Sequence, residues 1–142
     1  MGASPFTRRP AWFTAVALLA LLWNAFGVAM YLSTVGMFGD PMEGLSAAER
    51  TAAASIPGWI KGAFAIGTFA GLIGSIGLII GKAWAQPALV LSLIALLVME
   101  GWIIFLSGMR EVSGIAIPIT VVAGAILLAW LSAAARRRGW LR

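Results

Sequence analysis

Polar and apolar positions alternate along this chain in long blocks, with four extended apolar stretches separated by short polar ones. A bilayer core about 30 Å thick needs roughly 20 apolar helical residues to cross it. Residues 11–35, 59–80, 88–107 and 118–135 reach that length, so the pattern predicts four membrane-spanning helices. Pro87 and Pro118 stand where the third and fourth spans begin, in a first helical turn where a missing N–H costs nothing. Residues 36–58 are the only sizeable polar stretch, predicted to lie outside the membrane. Within it, Ser46 followed three residues later by Glu49 forms a capping box, and the alanine-rich run after it favours a short helix near residues 47–55. Pro57 and Gly58 stop that helix before the second span. With no internal repeat and no low-complexity linker, residues 1–142 read as a single transmembrane domain.

Small residues say how the spans pack. Lipid gives helices no hydrophobic drive to associate, so close backbone approach matters. On the second span Ala63, Gly67, Gly71 and Ser75 recur every four residues on one face, and Gly74 adds to the same theme. Ala125, Ala129 and Ala133 offer the fourth span a similar seam. On the first span Ala17, Ala20, Asn24, Gly27 and Tyr31 form an inward stripe, leaving Leu18, Leu22 and Met30 to face lipid. The expected fold is all-α: an integral membrane antiparallel four-helix bundle with short connections.

Composition narrows function mainly by exclusion. Hydrophobic residues make up 61% of the chain and charged residues 11%, with a mean hydropathy of +0.98, too poor in charge for a soluble surface. The chain has no His and no Cys, which removes haem ligand pairs, Cys/His zinc sites, disulfides, thiol catalysis and Ser-His-Asp triads. The five carboxylates are scattered, so no metal and no cofactor are expected, and an enzyme would lack most of its usual parts. The net charge of +5 is explained by orientation in a membrane rather than by nucleic acid. Arg8, Arg9, Lys82, Arg136, Arg137, Arg138 and Arg142 flank one side without an acidic residue among them. Arg50, Lys61 and Arg110 share the other side with Asp40, Glu43, Glu49 and Glu111. The positive-inside rule then puts both termini in the cytoplasm. Trp12, Trp84 and Trp140 suit the inner interfacial belt, and Trp59 and Tyr31 the outer one. Arg8 and Arg9 resemble the start of a signal peptide, but the apolar run continues past the small residues of AFGVA, so the first span is expected to be retained.

One residue breaks the apolar pattern. Glu100 interrupts LLVMEGWIIF in the third span. Measured from Pro87 it lies about 20 Å along an α-helix, and Asn24, measured from Trp12, lies about 18 Å along its own. Equal depth would let Glu100, Asn24, Thr68 and Tyr31 form an intramembrane polar cluster. A charged carboxylate in lipid costs about 2.5–3.5 kcal/mol, and a proton, an ion partner or water relieves that cost. Lys61, near the outer end of the second span, can snorkel inward and serve as the ion-pair partner; Arg110 is a less favourable one. Glu100 is therefore a proton or cation site, an interhelical tie, or a contact with another subunit.

The segments LLWNAFGVAMYL, IPGWIKGAFAIGTFAGLIGSIGLII, KAWAQPALVLSLIALLV and ARRRGWLR resemble a family of small bacterial four-helix inner-membrane proteins, over most of the chain. The matching features are Trp23-Asn24 with Gly27, Pro57-Gly58-Trp59, Gly71 with Gly74, and Trp84 with Pro87. Some members carry an automatic sugar-transporter label. The resemblance implies a multi-pass protein of the bacterial cytoplasmic membrane and transfers no role to Glu100. Sugar sites combine several polar side chains with aromatic platforms. Here the mid-membrane polar residues are Asn24, Thr68, Glu100 and a few serines, and Trp23 and Trp102 can either stack on a ring or face lipid. Small multidrug carriers also have four spans and a membrane glutamate, but theirs lies in the first span. Two functions stay open: a small transporter or channel-like protein, working as a homo-oligomer because four short helices enclose little volume, or a non-catalytic accessory subunit of a larger membrane complex, packed through the glycine-rich second span.

Overall fold

The computed structural model describes residues 8–142. The described chain is all-α, with six helices in order: α1 (Ala11–Thr34), α2 (Ala47–Ala54), α3 (Gly58–Ile80), α4 (Ala85–Phe105), α5 (Met109–Ser113) and α6 (Ala116–Arg137). Four of them, α1, α3, α4 and α6, are long and apolar enough to cross a bilayer. They form a helical bundle whose outer surface carries Leu19, Leu22, Phe26, Leu127 and Trp130 in exposed positions. Apolar exposure on this scale marks a multi-pass membrane protein, because a soluble monomer rarely leaves large contiguous apolar patches in water.

The helix ends follow local chemistry. Pro87 and Pro118 each occupy the third position of their helix, still within the first turn, where no intrahelical partner awaits the missing N–H. Gly81 ends α3 in the left-handed conformation at φ 73°, and the Lys82 N–H closes the turn on the Gly77 carbonyl at 2.8 Å. At α2 the Ser46 N–H donates to the Glu49 carboxylate at 2.8 Å, while the Glu49 N–H donates to the Ser46 hydroxyl at 3.3 Å. The Ser46 backbone N–H, and after it the Ser46 side chain, hold the Glu49 carboxyl below its ordinary pKa. The five-residue α5 interrupts the connection between the last two long helices and was not visible in the hydrophobic pattern.

Packing runs through α3 and α4. Helix α3 lies against both α1 and α4, α4 also against α6, and α2 meets α5. At one end Phe13, Ala17, Leu78, Ala85, Leu89 and Leu131, contributed by all four long helices, form a buried core with Leu141. Toward the other end the core is Ile60, Ala63, Leu96, Met99 and Ala125, contributed by α3, α4 and α6. Between α1 and α6 runs an open apolar groove that includes Leu19, Trp23, Ile119, Ala123 and Leu127. Along α1, Ala17, Ala20 and Asn24 are buried, Gly27 and Tyr31 half-buried, and Leu18, Leu22 and Met30 exposed, so the inward stripe faces the bundle.

Candidate functional site

The small residues of α3 bring the helices close enough to build polar sites between them. Ala63, Gly67, Gly71, Gly74 and Ser75 are all buried. A Cβ on Gly67 would come within 2.7 Å of the Leu96 side chain, and one on Gly74 within 2.6 Å of Leu89, so α4 leucines lie on bare backbone. At Gly71 the space a Cβ would need is filled by the Asn24 carboxamide from α1 and the Ser92 hydroxyl from α4. Three helices therefore converge on one glycine.

That convergence defines a closed polar cluster. Asn24 Nδ2 donates to the Ala20 carbonyl at 2.8 Å and to the Ser75 hydroxyl at 3.1 Å. Ser75 donates to the Gly71 carbonyl at 2.8 Å, and Ser92 donates across the α3–α4 interface to the Gly67 carbonyl at 2.6 Å. The void beside Asn24 and Ser92 measures about 10 Å³, at the lower limit for a water and too small for a solute. Ser92 was not singled out by the sequence, since a serine in an apolar helix commonly bonds its own backbone.

The expected grouping of Glu100, Asn24, Thr68 and Tyr31 does not form. Thr68 donates to carbonyls of its own helix, Phe64 at 3.0 Å and Ala65 at 3.2 Å, and turns its methyl toward Gly27. The Tyr31 ring meets Phe64 and Phe69 edge-on, at 5.7 and 6.0 Å. Glu100 bonds none of them. Equal depth does not hold, because Trp12 and Pro87 are not level along the bundle. Asn24 instead sits beside Ser92, which precedes Glu100 by about 12 Å along α4.

Glu100 has its own environment. It is 4% exposed, and among the described residues it makes no hydrogen bond and no ion pair. Every fully enclosed side-chain nitrogen and oxygen in the described chain has a partner, so the Glu100 oxygens reach open space. That space is a cavity of about 300 Å³, bounded by Ile60 and Phe64 of α3, Met99 and Ile103 of α4 and Pro118 of α6. Lys61 also lines it, half-buried, but no ion pair joins Lys61 to Glu100, which corrects the predicted pairing. The cavity includes Thr34, the last residue of α1, Ser113, the last residue of α5, and Gly114 after it. Trp102 is half-buried against the nearby core, whereas Trp23 is exposed beside Gly124, so the two rings do not face each other across a site. Comparison with protein-family models, curated proteins and solved structures finds no match to this chain.

Proposed function

We propose that this protein is a small transporter or channel-like protein of a bacterial cytoplasmic membrane, with Glu100 as a proton or cation site. In this reading the four long helices form an antiparallel bundle with both termini in the cytoplasm, and the protein works as a homo-oligomer. One observation carries the reading: a buried carboxyl without hydrogen-bond or ion-pair partners among the described residues borders a mostly apolar cavity of about 300 Å³. An intramembrane acid needs a counter-charge, a proton or water, and here neighbouring side chains supply none of its bonds. A structural tie between helices would look different. Asn24 and Ser92 are such ties, each bonded and packed into a void of about 10 Å³.

The accessory-subunit reading draws less support. It relied on a glycine face of α3 free to receive another protein, yet Gly67, Gly71 and Gly74 already receive Leu96, Asn24 and Leu89 of the same chain. The sugar-transporter label of the resembling family gains little support, since among the described residues Phe64 is the one aromatic side chain lining the cavity and few hydrogen-bonding groups stand beside it.

The test uses purified protein reconstituted in vesicles on a solid-supported membrane. Jumps in pH, and separately in tetraethylammonium, should produce charge movement with the wild type and none with a folded Glu100→Gln variant. Equal currents from both proteins would remove Glu100 from the mechanism.

A further inference from the structure

We propose that the basic end of the bundle holds a binding site for an anionic phosphate, built around the α3–α4 turn by Arg8, Arg9 and Lys82. These residues, with Gly81, Trp140 and Arg142, line a concave pocket of about 410 Å³. The site is independent of Glu100, which lies near the opposite end.

The backbone holds this pocket in shape. Gly81 is left-handed and has no Cβ, and the Arg9 guanidinium lies over it, within 2.8 Å of where a Cβ would stand. Arg9 Nη1 donates to the Leu78 and Ile79 carbonyls at 3.3 and 2.8 Å, which fixes the guanidinium on the exposed carbonyls that end α3. Its Nε and Nη2 make no bond among the described residues and remain able to meet an oxyanion. The Arg142 N–H donates to the Gly81 carbonyl at 2.8 Å, and the Ala83 N–H donates to the Arg142 carbonyl oxygen at 2.6 Å. The far end of the chain is thereby fastened onto the same turn.

Charge balance then calls for an anion. No Asp or Glu lines the pocket, and the five acidic residues of the chain are Asp40, Glu43, Glu49, Glu100 and Glu111. Among the described residues neither the Arg8 nor the Lys82 side chain has an ion-pair partner. Convergent Arg and Lys side chains suit phosphate oxygens, Arg through its planar fork and Lys as a point charge.

Location points to the source of that phosphate. Trp140 lines the pocket and packs edge-on against Trp12 at 5.8 Å, with the Arg138 guanidinium 5.2 Å above its ring. Tryptophans cluster at headgroup depth, and basic pockets beside transmembrane helices receive anionic lipid headgroups. A free phosphate offers the same chemistry.

The experiment measures binding to the purified full-length protein in neutral detergent. One arm titrates phosphatidylglycerol against phosphatidylcholine by native mass spectrometry. The other compares thermal stabilisation by inorganic phosphate and by chloride at equal ionic strength. Expected is a preference for the anionic lipid that weakens about fivefold in Lys82→Gln and about 25-fold in Arg8→Gln/Lys82→Gln, as each lost charge near a headgroup implies. Arg137→Gln, at the end of α6 and outside the pocket, should stay within about twofold of wild type. Stabilisation by inorganic phosphate with the same variant pattern would support the site and identify free phosphate as its ligand. The proposal is overturned if the wild type prefers neither anion over its control, or if Arg137→Gln weakens binding as much as Lys82→Gln does.

Discussion

Asn24 donates to Ala20 and Ser75 and lines a void of only about 10 Å³, whereas Glu100, also buried, borders about 300 Å³ without a bond among the described residues. Substitution should separate the two. Glu100→Gln keeps the shape and hydrogen-bonding groups of an uncharged carboxyl, so its stability should stay within about 1 kcal/mol of wild type. Because no ion pair links Glu100 to Lys61, a double-mutant cycle of Glu100→Gln with Lys61→Met should give a coupling below about 0.5 kcal/mol. Reversible unfolding in mixed micelles measures both quantities. A coupling well above 1 kcal/mol would restore the salt bridge that the structure lacks.

Helix α3 acts through its bare face, and the glycines on it are not equivalent. Gly71→Ala pushes a methyl group into the Asn24 carboxamide and should cost about 1–3 kcal/mol, as overpacking does. Gly62 faces open space, so Gly62→Ala should be neutral or stabilise by up to about 1 kcal/mol through helix propensity. Adding Asn24→Ala to Gly71→Ala should recover part of the loss by vacating the space. Equal effects at positions 62 and 71 would mean that α3 does not pack through this face. At α2 the relevant contact is electrostatic. The folded Glu49 carboxyl titrates below its unfolded value, so the capping contribution is present above the unfolded pKa and is lost as pH falls through the folded one. Amide exchange at Ser46 and Glu49 should therefore be faster at acidic pH than expected from intrinsic rates, and Glu49→Gln should remove that pH dependence.

For the whole molecule, charge is distributed unevenly between the two ends of the bundle. Arg9, the α3–α4 turn and Arg142 meet at one end, and Lys61, Thr34 and Ser113 border the cavity toward the other. Basic residues without acids crowd the first end. If that end is cytoplasmic, reporter fusions after Arg142 and within residues 44–52 should report opposite sides of the membrane. The same side for both would overturn the four-span topology. The groove between α1 and α6 also shows that the bundle is closed by α3 and α4 rather than by the first and last helices.

Four long apolar helices and the small-residue face of α3 were legible in the sequence, because each depends on neighbours along one helix; α4 and α6 begin at Ala85 and Ala116, before the expected starts at 88 and 118. Twenty apolar residues satisfy the bilayer wherever their partners lie, Ser46 and Glu49 cap each other across a single turn, and Gly67, Gly71 and Gly74 mark a close approach whichever helix arrives. The small face of α3 was therefore readable, but its partners Leu96, Asn24 and Leu89 were not. The polar sites depended on relative height and rotation between helices, which no spacing within one segment contains. A shift of about two turns in where α1 stands against α4 moved Asn24 from Glu100 to Ser92. Tertiary structure alone thus made Asn24 a closed tie, left Glu100 facing a cavity, and drew Arg8, Arg9 and Lys82 around Gly81.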